Sequence, residues 1–318
     1  MKKYVRFFAV VVVLAAFALM ALGSGSDSEE VKAPASVSGG NVQEDVQKTE
    51  EETQDTGEQT QETEETVPVK TEVTIEEAVL LDEADIKITA KSFEADGFMG
   101  PAVKLLIENN SQTNVGVQAW GVSVNGYMVD TIFSADVAAG KKANEELIFS
   151  SSSLEEAGIT TIADMEFYFH IYDSETWDTY LDSAPVVIKT SAADGFVYEY
   201  DNSGDVVYNE NGVEIVVKGL SEEFMGPCVV VYISNTSQKN ISVQTRDVSI
   251  NGFMVDAIFS SEVNAGKHIV DTITFLSSEL EENGITTIED IELSLHIFDS
   301  DTWMTIKDTN VITLSFAE

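Results

Sequence analysis

The sequence predicts an all-β fold: two tandem β-sandwich domains of about seven strands and one short helix each, behind an N-terminal signal or membrane anchor and a disordered acidic linker. Three observations predict it. The second part of the chain is an internal duplication, in which FMGPAVKLLIENNSQTNVGVQ beginning at Phe98 matches FMGPCVVVYISNTSQKNISVQ beginning at Phe224. Within each copy, short segments rich in Val, Ile, Phe and Tyr alternate with Gly, Asn and Asp turn signals at the spacing of a sandwich. The last long segment of each copy alternates apolar and polar residues with the period of two that marks a half-buried strand.

The chain as a whole agrees with this. Its 318 residues leave room for two or three domains, and a hydrophobic share of 43% supports ordinary cores. Lys and Arg total 17 against 56 Asp and Glu, and the resulting net charge of -39 repels phosphate backbones and anionic lipid, which excludes nucleic-acid binding. Cys228 is the single cysteine, so no intramolecular disulfide and no multi-cysteine metal site forms. Packing must hold each domain together.

Residues 1–23 read as a signal peptide or N-terminal membrane anchor. Lys2, Lys3 and Arg6 precede an uncharged run from Phe7 to Gly23. The run lies at the short limit for a spanning helix, so it suits either a cleaved signal or a retained anchor, and it is the chain's one membrane contact. The junction from Leu19 to Ser26 resembles a bacterial lipoprotein signal. Leu22 stands where the lipid-modified Cys would be, and without a thiol no thioether forms there. Ala21 and Gly23 suit an ordinary signal peptidase. Residues 24–73 hold no aromatic residue and no Leu, Ile or Met; this acidic linker cannot bury enough apolar surface to offset an ordering cost of about 1–2 kcal/mol per residue. Like charges extend it into a tether that keeps the folded part away from the envelope.

The duplication sets the remaining boundaries. The register that carries Phe98 onto Phe224 holds without a gap to the end of the chain, and roughly half of the paired positions are identical. Upstream, VLLDEADIKITAK pairs with VVYNENGVEIVVK after a shift of one residue. The first repeat therefore covers 74–191 and the second 203–318, with a linker at 192–202.

In the first repeat, strands are expected at 78–81, 85–91, 102–108, 115–124, 127–133, 143–150 and 165–173, with a closing strand at 185–190; the first of these is the least regular. Asn125-Gly126 and Asn251-Gly252 are type I′ hairpin signals, because both central positions of that turn need positive φ. Gly140 and Gly266 mark another turn. Ser152 with Glu155 and Ser278 with Glu281 have capping-box spacing, and Gly158 and Gly284 would end a helix of one or two turns. On the last long strand, Phe167, Phe169 and Ile171 match Leu293, Leu295 and Ile297 on the core face.

These residues, in this order, resemble an uncharacterised immunoglobulin-like (telokin-like) repeat domain of Gram-positive surface lipoproteins, over both repeats. The resemblance implies an immunoglobulin-like sandwich at the cell surface and brings no catalytic residue with it. Extracytoplasmic display, tethered or secreted, follows as the expected location, and a non-enzymatic binding or adhesion module as the expected function, with an envelope protein or glycan as partner. A structural spacer or assembly unit is the alternative; a hydrolase or metal-dependent enzyme is not expected.

No cofactor is expected. His170 and His296 occupy matched positions, but each repeat offers only one, and a structural imidazole is the expected role. Asp173, Glu175, Asp299 and Asp301 are candidate Ca²⁺ ligands in the Asp-Ser-x-Thr-Trp turns; these lack the Gly and downstream Glu of an EF-hand loop, and an ordinary turn with its Trp packed back is preferred. Phe98-Met99 and Phe224-Met225 are interaction candidates if exposed, although a plug at one end of the sandwich is the preferred reading. Tyr127-Met128 and Phe253-Met254 carry the same two readings. Trp120 faces Arg246 in the alignment and, on a solvent-facing strand, would give the first repeat a contact the second lacks. Cys228 matches Ala102 and reads as a buried strand residue.

Overall fold

The computed structural model describes residues 73–316. The signal or anchor at 1–23 and nearly all of the acidic linker lie outside the described residues. The first repeat holds β1 (Ala78–Glu83), β2 (Ile86–Glu94), β3 (Ala102–Asn109), β4 (Val115–Val124), β5 (Tyr127–Met128), β6 (Thr131–Ile132), β7 (Ser134–Val137), β8 (Lys142–Phe149), α1 (Ser151–Glu156), β9 (Asp164–Asp173), β10 (Thr179–Asp182) and β11 (Val186–Lys189). The second repeats this order with β12 (Asp205–Glu210), β13 (Val213–Glu223), β14 (Gly226–Asn235), β15 (Ile241–Ile250), β16 (Phe253–Met254), β17 (Ala257–Ile258), β18 (Ser260–Val263), β19 (Lys267–Phe275), α2 (Ser277–Glu282), β20 (Asp290–Asp299), β21 (Thr305–Asp308) and β22 (Ile312–Ser315).

The fold is all-β, with antiparallel sheets facing each other across apolar cores. In the first repeat the sheet β1-β2-β3-β8-β6 faces a second one built on β10-β9-β4-β5, to which β11 and β7 add. Alternation along β9 sends Met165, Phe167, Phe169 and Ile171 into the core, where Ile88, Leu105, Ile107 and Leu147 meet them from the opposite sheet. The second repeat builds the same pair from β12-β13-β14-β19 and from β16-β15-β20-β21. Ile215, Val231, Ile233, Leu293, Leu295 and Ile297 fill its core.

Both hairpin signals act as expected. Asn125 and Gly126 have φ of 50° and 85°, and Asn251 and Gly252 have 50° and 80°. Each Asn also ties down a distant loop: Asn125 donates to the Thr161 carbonyl at 2.8 Å, and its Oδ1 accepts from the Ala163 N–H at 2.9 Å. The helix ends match too. Gly158 donates to the Glu155 carbonyl and Ile159 to that of Leu154, and Gly284 and Ile285 repeat the pattern. This is a Schellman motif with its apolar contact, since Leu154 and Ile159 share the core.

Three expectations need correction. The helices begin earlier than the capping-box spacing implied: Ser150 and Leu276 are the N-caps, because their carbonyls already accept from Leu154 and Leu280. Ser150 Oγ accepts from the Ser153 N–H at 3.4 Å, whereas Leu276 has no side-chain cap. The strand expected at 127–133 is three pieces, since β5 pairs with β4, β6 crosses to β8 in the opposite sheet, and β7 returns to β4. Finally, β10 was not foreseen, and β1 is a true edge strand paired with β2 on both sides of a bulge at Leu80, so each repeat carries more than the expected seven strands.

The repeats touch. The parallel pairing of Tyr127 with His268 joins the second sheet of the first repeat to β19 of the second, within one compact unit. Val216, Tyr232 and Val270 of the second repeat belong to the first repeat's core cluster, and Tyr198 and Tyr200 from 192–202 pack on it.

Candidate interaction surfaces

The plug reading of Phe98 and Phe224 does not survive. Phe98 is 105% exposed and Phe224 95%, with Met99 at 54% and Met225 at 47%. Backbone geometry holds them out. Gly100 and Gly226 have φ of 132° and 148°, and a Cβ on either would stand 2.1 Å from the carbonyl oxygen of Phe149 or Phe275. The loop between β2 and β3 therefore lies so close to the end of β8 that no side chain fits between them, and the Phe-Met pair turns to solvent. The second copy repeats the arrangement, with the Ser277 N–H donating to the Met225 carbonyl at 3.1 Å.

The two hairpin tips, alike in sequence, have different fates. Phe253 is 49% exposed and Met254 65%. Tyr127 is buried against Tyr198, Tyr200, Tyr232 and His268, at ring-centroid distances of 5.2, 5.8, 6.5 and 5.2 Å, and Met128 packs against the second repeat's core. Tyr127 and Met128 are thus internal contacts. Around them the His268 N–H donates to the Gly126 carbonyl at 3.0 Å, Tyr232 Oη lies 2.9 Å from His268 Nδ1, and Lys267 Nζ meets Glu166 Oε2 at 2.7 Å. Burial, then the Lys267 ammonium, lowers the His268 pKa from its ordinary value.

Trp120 is half-buried, a correction to its expected exposure. Its ring stacks on His170 at 3.9 Å, and its Nε1 donates to Gln118 Oε1 at 3.0 Å. A bulge between Trp120 and Ser123 in the pairing of β4 with β9 explains the irregular periodicity there. His170 Nδ1 lies 2.6 Å from Asp182 Oδ1, and His296 repeats this with Asp308 at 2.6 Å. Arg246, standing where Trp120 does, reaches the same Asp308 at 3.4 Å. Each imidazole meets one carboxylate on the neighbouring strand, β10 or β21, which these pairs tie down.

The Asp-Ser-x-Thr-Trp turns spend their carboxylates internally. Asp173 Oδ1 accepts from the Glu175 and Thr176 N–H groups at 2.8 and 3.1 Å, and Asp299 Oδ1 accepts from those of Asp301 and Thr302 at 3.1 and 3.0 Å. Lys239 Nζ sits 3.0 Å from Asp299 Oδ2 and, with the Thr302 N–H, holds that carboxyl below the usual range. Glu175 and Asp301 turn toward Asn114 and Asn240. Among the described residues no group of three His, Cys, Asp or Glu is placed to hold a metal ion. Trp177 and Trp303 pack one face on Tyr172 and Phe298, at 5.1 and 5.5 Å, and remain 61% and 59% exposed.

Cys228 is buried, and burial first, then Glu223, pushes its thiol up to about 11. A groove of about 550 Å³ runs between β1 and residues Ser183 to Val187. Among the described residues no helix is long and apolar enough to cross a membrane.

No family model matches the chain, and no curated protein does. Among solved structures, the chain has a TM-score of 0.23 and 11% identity to a YadV chaperone, over 73% of this chain and 100% of that one. A protein of unknown function from Porphyromonas gingivalis gives 0.19 and 12%, over 68% of this chain and 91% of that one. Scores this low carry no argument, so the functional reading rests on the surfaces themselves.

Proposed function

We propose that the chain is a non-enzymatic binding module held outside the cytoplasm by its N-terminal segment, with its repeats forming two immunoglobulin-like domains that engage an envelope protein or glycan. One observation carries the reading. Phe98 and Phe224, at matched positions, stand almost wholly in solvent on loops whose shape the adjoining glycine enforces. Covering a Phe side chain stabilises a complex by roughly 1.5–3 kcal/mol, and an apolar loop presented twice offers a partner two such anchors. On so acidic a chain the loops supply adhesion while net charge keeps unrelated anionic surfaces away.

A spacer is the second reading, and the docked junction favours it, since Tyr127 and the linker tyrosines fix one repeat on the other. The two separate in one experiment. The full-length chain carries a photoreactive side chain at position 98, 224 or, as an exposed polar control, 76, and is irradiated on cells that display it. Adducts at both loop positions and none at Glu76 are expected of a binding module; a folded chain that gives no adduct at either loop is a spacer.

A further inference from the structure

The junction between the repeats contains a docking pair of which only one half is present in both repeats. Its accepting half is the outer face of the sheet β12-β13-β14-β19. Val216, Tyr232 and Val270 are directly paired across three neighbouring strands and form an apolar row, which the first repeat covers. Lys267 stands at the rim and meets Glu166. The first repeat presents Thr89, Leu106 and Asn144 in the same row, with Lys104 in place of Val230 and Lys142 in place of His268. Lys104 pairs with Glu94 at 2.9 Å and Glu146 at 3.4 Å, and Lys142 pairs with Glu108. One face is apolar and covered by the other repeat; on its counterpart Thr89 is buried, Leu106 half-buried and Asn144 exposed, and ion pairs take the place of the apolar row.

The docking half has not diverged in this way. Tyr127, Met128 and Glu166 become Phe253, Met254 and Glu292, on a hairpin turn of the same φ values. There none of the described residues covers them: Phe253 and Met254 are about half exposed or more, and Glu292 is exposed. Helix α2 belongs to the same end, because Glu279 accepts from the Asp256 N–H at 3.1 Å and Ser277 donates to Met225. Asp256, Glu279, Glu281, Glu282 and Glu292 make this end acidic, and neither the hairpin tip at 249–256 nor α2 carries a Lys or Arg. Two such ends repel each other, and the ion-paired face of the first repeat offers no apolar row to a second copy.

We propose that the free end of the second repeat, Phe253 and Met254 flanked by Glu292, docks on the outer sheet face of a β-sandwich domain in another protein, a face with an apolar central row and a lysine at its rim. The chemistry required is the one Val216, Tyr232, Val270 and Lys267 present to Tyr127 and Met128. The inference rests on the binding-module reading but concerns a different element from the Phe98 and Phe224 loops.

The test supplies that face from the chain itself. In the full-length protein, Thr89→Val, Lys104→Val, Leu106→Tyr, Lys142→His and Asn144→Val rewrite the first repeat's face, leaving Lys141 as the counterpart of Lys267. A second variant, Tyr127→Ser with Met128→Ser, releases the native face of the second repeat. Sedimentation velocity should show a monomeric parent and head-to-tail assembly of either variant as concentration rises, because a heterologous contact that does not close propagates. Adding Phe253→Ser and Met254→Ser should return both to monomer. Folded variants that stay monomeric, or that assemble equally well with the hairpin made polar, overturn the proposal. Neither result touches the adducts at positions 98 and 224, so the two readings fail separately.

Discussion

Gly226 shows how one residue decides what a loop displays. With φ at 148° and the Phe275 carbonyl 2.1 Å from where a Cβ would stand, alanine forces both the backbone and the end of β19 to move. Gly226→Ala, and likewise Gly100→Ala, should destabilise the fold by more than about 1 kcal/mol, whereas Phe224→Ala, in open solvent, should stay within about 0.5 kcal/mol. Thermal melts of the three variants check this; equal midpoints would refute the tight-approach account. His268 makes a second residue-scale prediction. Its pKa is lowered, so the docked state favours the neutral ring, and the stability this contributes is present above the ordinary value of 6.5 and lost as pH falls below it. An NMR titration should place the His268 midpoint below 6.5 in the parent and move it toward 6.5 in Tyr127→Ser, where the ring regains solvent. An unchanged midpoint would mean that the junction does not bury the imidazole.

The hairpins are one element in two environments, and their mutants should differ accordingly. Tyr127→Ala removes a ring packed among four others and should cost about 3 kcal/mol in denaturant unfolding; Phe253→Ala, at the matched but half-exposed position, should cost less than about 1 kcal/mol. Similar losses at both positions would contradict the docked tip. Elements were legible in the sequence where local chemistry dictates them. Asn-Gly leaves a type I′ turn little alternative, Gly158 and Gly284 end helices for the same steric reason, and β9 announces itself by strict alternation. The segment 127–133 was not legible, because its residues change sheets and periodicity says nothing about which partner a strand takes. The helix starts misled through spacing: the carbonyls of Ser150 and Leu276 begin each helix before the Ser-x-x-Glu pattern does. The exposure of Phe98 and Phe224 escaped for a related reason, since apolar residues beside a turn read as core until the close approach at Gly100 and Gly226 is seen.

Across the whole molecule, the difference between the repeats carries as much information as their likeness. The substitutions of Lys104 by Val230, Leu106 by Tyr232 and Asn144 by Val270 were visible in the alignment, yet they become a surface only when strand register sets them side by side and outward. Tyr198 and Tyr200 read as part of a linker for want of that surface to pack on. The junction now makes a prediction at this scale. A carboxylate introduced by Tyr232→Asp would be buried without a partner beneath Tyr127 and Tyr200, at a cost of several kcal/mol, while undocking lets it reach water. The core of the second repeat, centred on Ile215, Val231 and Ile233, lies on the opposite side of the same strands and should stay folded. The parent should therefore tumble as one body in ¹⁵N relaxation, and Tyr232→Asp as two bodies with shorter correlation times and unchanged far-ultraviolet circular dichroism. Leu106→Asp, at the matched half-buried position on the first repeat's ion-paired face, should leave the correlation time as it is. If both variants tumble like the parent, the apolar row is not what joins the repeats, and the accepting face inferred from it falls with it.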